Sequence, residues 1–241
     1  MKKLYVIGIG NGGDTMTAAA AKALAACEVI VGYSTYIALL GEELRGKEVI
    51  SGGMRSEKER CLRALEAANE GRTAALISSG DAGVYGMASL SLELAADFSE
   101  VEVEIVPGVT AALAGASLVG APLGHDFAVV SLSDLLTPWE IIEKRLRAAC
   151  EGDFALAIYN PESRGRKGYL ARACRILLEY KSGDTPAAAV KNIGREGESV
   201  RLMTLREMAE YTADMTTTVF IGNSTTRMIG GRMVTMRGYL L

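Results

Sequence analysis

Short apolar runs alternate with longer segments of helical period through the first half of the chain. The apolar runs predict strands at residues 4–9, 28–32, 47–50, 73–78 and 102–106. The helical patterns lie between and after them, near residues 15–26, 34–44, 56–70, 85–97 and 110–117. Strands that alternate with helices are typical of βαβ units. We therefore predict a parallel sheet covered by helices.

The second half of the chain differs, because several of its predicted strands are joined by short turns. Strands are predicted near residues 127–132, 154–159, 187–192, 198–203, 217–221 and 232–236, and helices near 138–150, 166–180 and 204–211. Such turns favour a mixed sheet. The glycine- and proline-containing stretch 120–124 is the candidate junction. The predicted fold class is α/β, with two α/β domains, residues 1–120 and 121–241, and a ligand cleft between them.

Charge and cysteine content narrow the class of protein. The chain has 241 residues and a formal net charge of −3, whereas nucleic-acid-binding domains are usually strongly basic. The first apolar run is too short for a signal peptide, and no stretch reaches the ~18 apolar residues of a membrane span. Four widely spaced cysteines form no C-x-x-C pair: Cys27, Cys61, Cys150 and Cys174. They are interpreted as reduced core thiols of a cytoplasmic protein without a bound metal.

Residues 78–86 read Ser-Ser-Gly-Asp-Ala-Gly-Val-Tyr-Gly and follow directly on a predicted buried strand. In open α/β sheets, ligands bind beyond the carboxyl ends of the strands. Gly80 and Gly83 would let the backbone approach a ligand closely, and Asp81 could accept hydrogen bonds from it. The alternative is a tight turn in which Asp81 caps the next helix.

The first strand is followed by a formal G-x-G-x-x-G pattern at residues 8–13. A nicotinamide-binding fold also needs an acidic residue at the end of the second strand, where this chain has Val31-Gly32-Tyr33-Ser34. The pattern therefore predicts close approach to some ligand and disfavours a nicotinamide oxidoreductase. A simple strand-to-helix turn is the alternative.

The order of four segments along the chain resembles the tetrapyrrole methylase superfamily. These segments are residues 8–12, 79–85, 106–112 and 158–160. Further segments are similar to the carbon-17 methyltransferases of cobalamin biosynthesis within that superfamily, at residues 31–33, 51–55, 123–127, 131–139, 159–166, 192–198 and 221–224. The resemblance covers essentially the whole chain. It implies methyl transfer from S-adenosylmethionine to carbon 17 of precorrin-3B or cobalt-factor III, with contraction of the ring. The alternative within the superfamily is methylation at another position of a corrin or sirohaem precursor.

The resemblance also implies a set of cofactor-binding positions. Carried over position by position, they are Gly10, Asn11, Gly12, Ser79, Gly80, Asp81, Val84, Thr110, Ala111, Tyr159, Asn160, Asn192 and Thr218. Where the superfamily usually has proline, this chain has Asn11, and the loop that follows is about one residue shorter. A homodimer is implied as well. A tetrapyrrole carrier that keeps the fold without turnover is the alternative from another functional class.

The implied substrate is an anionic tetrapyrrole, with or without cobalt, so an acidic protein must concentrate positive charge where its carboxylates bind. Basic residues on predicted loops at strand ends are the candidates: Arg55, Arg164, Arg166, Lys191 and Arg195. The alternative for each of them is a solvated surface charge. His125 is the candidate for proton transfer during ring contraction, or else a histidine that only fixes the domain junction.

Two further expectations concern helix residues. The run Glu57-Lys58-Glu59-Arg60 is interpreted as an exposed helix face of mixed charge. Trp139 is a candidate for one wall of the macrocycle pocket.

Overall fold

The computed structural model describes residues 2–53, 56–163 and 165–239. Contacts divide the chain into two units, Met1–Ala111 and Ala112–Leu241. The division therefore falls ahead of the predicted junction at residues 120–124. Helix α5, Ala111–Val119, belongs almost entirely to the second unit, where a side chain on Gly115 would lie 2.9 Å from Ile193 and 3.0 Å from the ring of Phe220.

The first unit contains one five-stranded sheet. Its strands are β1 Lys3–Gly8, β2 Val29–Tyr33, β3 Glu48–Gly52, β4 Ala74–Ser78 and β5 Glu102–Val106. They lie in the order β3-β2-β4-β1-β5, and every neighbouring pair is parallel. This confirms the predicted parallel sheet, and it places the carboxyl ends of β4, β1 and β5 side by side.

Helices cover both faces of this sheet. They are α1 Ala18–Ala26, α2 Ser34–Ile37, α3 Glu57–Asn69 and α4 Ala88–Ala95, with single 3-10 turns at Gly13–Thr15 and Glu42–Leu44. Alternate strand residues point to opposite faces. Val6 and Leu76 pack with α3, whereas Ile7 and Ile77 pack with α1. The helix predicted over 34–44 breaks into α2 and a 3-10 turn, because Gly41 is not helical.

The main sheet of the second unit is mixed, as predicted. Its strands are β7 Phe127–Ser131, β8 Ala155–Tyr159, β9 Pro186–Lys191, β10 Ser199–Thr204 and β11 Thr217–Ile221, in the order β10-β9-β11-β8-β7. Only the β7–β8 pair is parallel. The carboxyl ends of β7, β8 and β9 and the beginning of β11 therefore share one edge.

A second, three-stranded sheet in this unit was not predicted. It consists of β6 Gly120–Ala121, β12 Thr226–Ile229 and β13 Arg232–Thr235, in the order β12-β13-β6. The stretch expected to be a domain junction thus begins as a strand that pairs in parallel with β13.

The helices of the second unit are α5, α6 Trp139–Glu151, α7 Tyr169–Leu177 and α8 Leu205–Met208. Trp139 is only 5% exposed and packs with Leu146, Leu156 and Val219 in the core. A ring so deeply buried offers little exposed surface for the pocket wall suggested by the sequence.

All four cysteines are buried and free, which confirms their predicted place in the core. Burial raises the pKa of the Cys27 thiol to about 11 and that of Cys174 to about 12. No histidine, cysteine and carboxylate cluster in the described part of the chain is arranged to hold a metal ion. None of the helices within the described ranges is long and apolar enough to cross a membrane.

Candidate functional site

Three loops meet at the carboxyl edge of the first sheet, after β1, β4 and β5. Gly10 and Gly80 join the first two loops through a pair of main-chain hydrogen bonds, with N···O distances of 3.0 and 2.6 Å. Both glycines have a positive φ, 75° for Gly10 and 69° for Gly80, which favours glycine. Asn11 joins the third loop, because its Nδ2 donates to the carbonyl of Val109 at 2.7 Å.

The carboxylate of Asp81 links two of these loops. Its Oδ1 accepts a hydrogen bond from Gly83 N at 2.8 Å, and its Oδ2 accepts one from Gly108 N at 2.9 Å. Helix α4 begins after Met87 and has no side-chain cap, so the alternative of Asp81 as a helix cap is wrong. Asp81 instead closes its own turn and holds the loop after β5.

The glycines at this edge let the loops approach one another. A Cβ on Gly108 would lie 2.1 Å from the carbonyl oxygen of Gly80, and one on Gly8 would lie 2.7 Å from the same oxygen. A Cβ on Gly10 would lie 2.5 Å from the carbonyl oxygen of Thr15. The glycine pattern at residues 8–13 predicts close approach of the backbone to a ligand. At Gly8, Gly10 and Gly108, the structure instead shows the backbone packed closely against other backbone segments of the same chain.

The remaining cofactor candidates of the first unit lie at the same edge. Ser79, Val84, Thr110 and Ala111 are all half-buried. Sequence reasoning missed Thr15, whose Oγ1 accepts from Asn11 N and donates to the Gly12 carbonyl, both at 2.8 Å. The unit thus brings together all its predicted cofactor residues around one hydrogen-bonded framework.

In the second unit, the predicted cofactor residues lie at the edge shared by β7, β8, β9 and β11. Asn160 and Asn192 follow β8 and β9, and both have a φ of 51°. Asn160 Nδ2 donates to Ser131 Oγ at 2.9 Å, and Thr218 is 5% exposed in β11. The Tyr159 hydroxyl accepts from Ala112 N at 2.6 Å, in the first turn of α5.

The basic candidates have different surroundings. Arg166 is mostly buried and donates to the carbonyls of Leu132 at 2.9 Å and Asn160 at 3.3 Å. Lys191 pairs with Asp214 at 2.7 Å, and Arg195 is half-buried. Arg55 and Arg164 lie outside the described residues. Arg166 therefore joins the loops after β7 and β8 through their main-chain carbonyls.

His125 lies away from the other candidates of the second unit. It precedes β7, and the carbonyl of the next residue, Asp126, accepts from Ala155 N at the beginning of β8. His125 and Asn160 are thus at opposite edges of the sheet, separated by the five residues of β7. The His125 side chain is 49% exposed, and its Nδ1 accepts from Asp126 N at 2.8 Å.

Arg60 contradicts the expectation that residues 57–60 form an exposed face. Its side chain is 8% exposed, and it donates to the carbonyl of Gly53 at 2.5 Å. Its guanidinium lies 5.8 Å from the centre of the Tyr33 ring, at the carboxyl end of β2. Helical spacing could have located it, because Arg60 is four residues before Ala64 on the buried face of α3.

Comparison with known sequences identifies the family to which the chain belongs. The family described as Tetrapyrrole (Corrin/Porphyrin) Methylases matches residues 3–209, so the chain belongs to this family. A relative in Salmonella typhimurium is 53% identical over 240 residues, which are 99% of this chain and 100% of that protein. That relative is named a probable cobalt-factor III C(17)-methyltransferase.

Solved structures agree on the fold. The crystal structure of the methyltransferase CobJ is 40% identical and has a TM-score of 0.89, with 97% of this chain and 99% of that chain covered. A uroporphyrin-III C-methyl transferase from Thermus thermophilus, complexed with S-adenosyl homocysteine, has a TM-score of 0.69 at 22% identity. The match covers 91% of this chain and 97% of that one, and it shows the shared fold.

The packing of the three loops predicts a large cost for a side chain at Gly108. We expect Gly108→Ala to lower the free energy of unfolding by about 3 kcal/mol, because the methyl group would overlap the Gly80 carbonyl. Urea denaturation measures this change. Gly53→Ala is the control, since a Cβ there has nothing within 4 Å and the φ of Gly53 is not in the left-handed range. Equal stabilities of the two variants would contradict the proposed loop packing.

The ion pair of Lys191 and Asp214 predicts a pH-dependent contribution to stability. Burial raises the pKa of Asp214, but hydrogen bonds from Lys191, Thr216 and Thr217 outweigh it and hold the pKa at about 2. A lowered pKa stabilises the fold above the unfolded value near 4, and this contribution is lost as the pH falls towards 2.

We therefore expect Asp214→Asn to lower the Tm at pH 6, and the difference from wild type to shrink between pH 4 and pH 2. Thermal unfolding across this range measures it. Asp97→Asn, at an exposed position in the first unit, controls for the loss of one carboxylate. A difference that is constant with pH would refute the assignment.

Proposed function

We propose that the chain is an S-adenosylmethionine-dependent C-methyltransferase of cobalamin biosynthesis. Its proposed reaction is methylation of carbon 17 of cobalt-factor III or precorrin-3B, with ring contraction. The observation that carries this proposal is the similarity to the Salmonella relative along the entire length of both chains. The hydrogen-bonded loops at the carboxyl edge of the first sheet support it, because ligands of open α/β sheets bind there.

The residues at the carboxyl edge of the first sheet fit a small polar ligand such as S-adenosylmethionine. The Gly10–Gly80 pairing and the Asp81 carboxylate hold three loops in place, and half-buried Ser79 and Thr110 lie among them. Asp81 thereby acts through the main chain that it positions. Cofactor binding is also proposed for the other candidates, which are Asn11, Gly12, Val84, Ala111, Tyr159, Asn160, Asn192 and Thr218.

S-adenosylmethionine, when bound, supplies an electrophilic methyl group on sulfur. Displacement at that carbon needs alignment of the two reactants and exclusion of water more than it needs a strong base. The loops fit this requirement, since Asn11, Asp81 and Gly80 each tie one loop to another. Preformed main-chain hydrogen bonds keep the ligand-facing groups in position without reorganisation.

The substrate carboxylates are proposed to bind to four basic residues, which are Lys191, Arg195, Arg55 and Arg164. Lys191 can exchange Asp214 for a substrate carboxylate, since its side chain is 42% exposed. Arg166 is proposed to act indirectly, by holding the loops after β7 and β8. A homodimer is also proposed, on the resemblance to the superfamily alone, and a cytoplasmic location is proposed on the four free cysteines.

The direct test is transfer of a labelled methyl group. Purified protein, carbon-13 methyl-labelled S-adenosylmethionine and either cobalt-factor III or precorrin-3B are incubated; mass spectrometry then counts the added methyl groups and carbon-13 NMR locates them. We expect one added methyl group at carbon 17, and the preferred substrate shows whether cobalt is already inserted. A carrier would bind the tetrapyrrole without transferring label. Methylation at another carbon would replace the proposal with another superfamily activity.

The role of His125 is tested separately. If His125 moves a proton during ring contraction, His125→Ala slows product formation at least tenfold, since positioned proton transfer contributes about 10²-fold or more. Single-turnover kinetics measure the rate, and calorimetry with S-adenosylhomocysteine verifies that cofactor affinity is retained. Product formation at the wild-type rate would leave His125 with a structural role at the beginning of β7.

A further inference from the structure

Tyr85 has an unusual backbone conformation for a bulky residue. Among the residues that the structure describes, four non-glycine residues have a positive φ: Tyr85 at 53°, Asp153 at 53°, Asn160 at 51° and Asn192 at 51°. Asparagine and aspartate tolerate this left-handed region, because their short side chains bond locally. A tyrosine there costs roughly 1–2 kcal/mol. Tyr85 is thus the exception that needs an explanation.

The surrounding turn imposes this conformation. Met87 N donates to Ser78 Oγ at 3.2 Å, and Ala88 N donates to the Ala82 carbonyl at 2.9 Å. A Cβ on Gly86 would lie 2.5 Å from that same carbonyl oxygen, so the chain passes closely over the turn. Asparagine or glycine at position 85 would adopt the same φ with less strain. The backbone conformation by itself therefore does not require a tyrosine.

The Tyr85 side chain is also exposed. Its exposure is 55%, on the loop that follows β4 and leads into α4. This loop includes Asp81 and Gly80, which organise the candidate site. A strained backbone that carries an exposed aromatic ring next to a binding edge is typical of a residue kept for ligand contact.

We propose that the ring of Tyr85 contacts the apolar face of the tetrapyrrole substrate, an inference that rests on the proposed function. Of the two proposed ligands, the tetrapyrrole has the broader apolar surface, with its carboxylates at the periphery. A tyrosine covers such a surface with its ring while its hydroxyl stays in water. The main-chain groups around Gly10 and Gly80 suit the smaller, more polar cofactor. Tyr85 thereby contributes to substrate affinity at the expense of stability.

The experiment compares Tyr85→Asn and Tyr85→Phe with wild type. In Tyr85→Asn, we expect the KM for the tetrapyrrole to rise about twofold to thirteenfold, the range that corresponds to an aromatic contact of about 0.5–1.5 kcal/mol. The Tm should be unchanged or higher, because asparagine relieves the strain. Tyr85→Phe should keep the wild-type KM, since it keeps the ring. Tyr239→Asn, which removes a 72% exposed ring near the end of the chain, is the matched control.

Three results would overturn the inference. A lower Tm with an unchanged KM would make the ring a structural element. A weaker affinity for S-adenosylhomocysteine, measured by calorimetry, would assign the ring to the cofactor. An equal KM increase in Tyr85→Phe would assign the contact to the hydroxyl. The affinity of each variant for the tetrapyrrole is also measured, by absorbance titration. Tight binding without turnover would refute the proposed function, and the difference in affinity between Tyr85→Asn and wild type would still test the contact of Tyr85.

Discussion

The pairing of Gly10 with Gly80 is the contact on which the candidate site of the first unit depends. It joins the loops of two neighbouring parallel strands by two main-chain hydrogen bonds. Asp81 and Asn11 then attach the loop after β5 to this pair. Each bond is modest alone, about 1 kcal/mol net, or somewhat more where a carboxylate accepts. Together they define one arrangement of the edge, so a ligand meets groups that are already in place.

The second unit reaches a similar result by different means. Its sheet is mixed, and its site edge is formed by strand ends that run in both directions. Asparagines in the left-handed conformation follow β8 and β9, and one of them, Asn160, donates a hydrogen bond to Ser131. The mostly buried Arg166 donates to one carbonyl in each of the loops after β7 and β8 and so joins the two loops. A guanidinium suits this position, because its several donors lie in one rigid plane.

Much of the fold could be predicted from the sequence, because buried parallel strands are apolar runs and their helices have a clear period. Strand β6 could not, since two residues have no periodicity, and β12 is short and largely exposed. The candidate residues were found by their order along the chain. The sequence does not reveal their hydrogen-bond partners. The bond between Gly108 and Asp81, for example, joins residues 27 positions apart and depends on which strands are neighbours in the sheet.

The glycines of the loops after β1 and β5 change what the G-x-G-x-x-G pattern means in this fold. Gly8, Gly10 and Gly108 are required because carbonyl oxygens of the protein already fill the space that a Cβ would need. Any chain that folds these three loops together must keep glycine there, whatever molecule it binds. The pattern therefore records how the loops assemble. A dinucleotide-like signature in such a chain is a constraint of architecture, and the identity of the ligand has to be set by the other residues that the loops present.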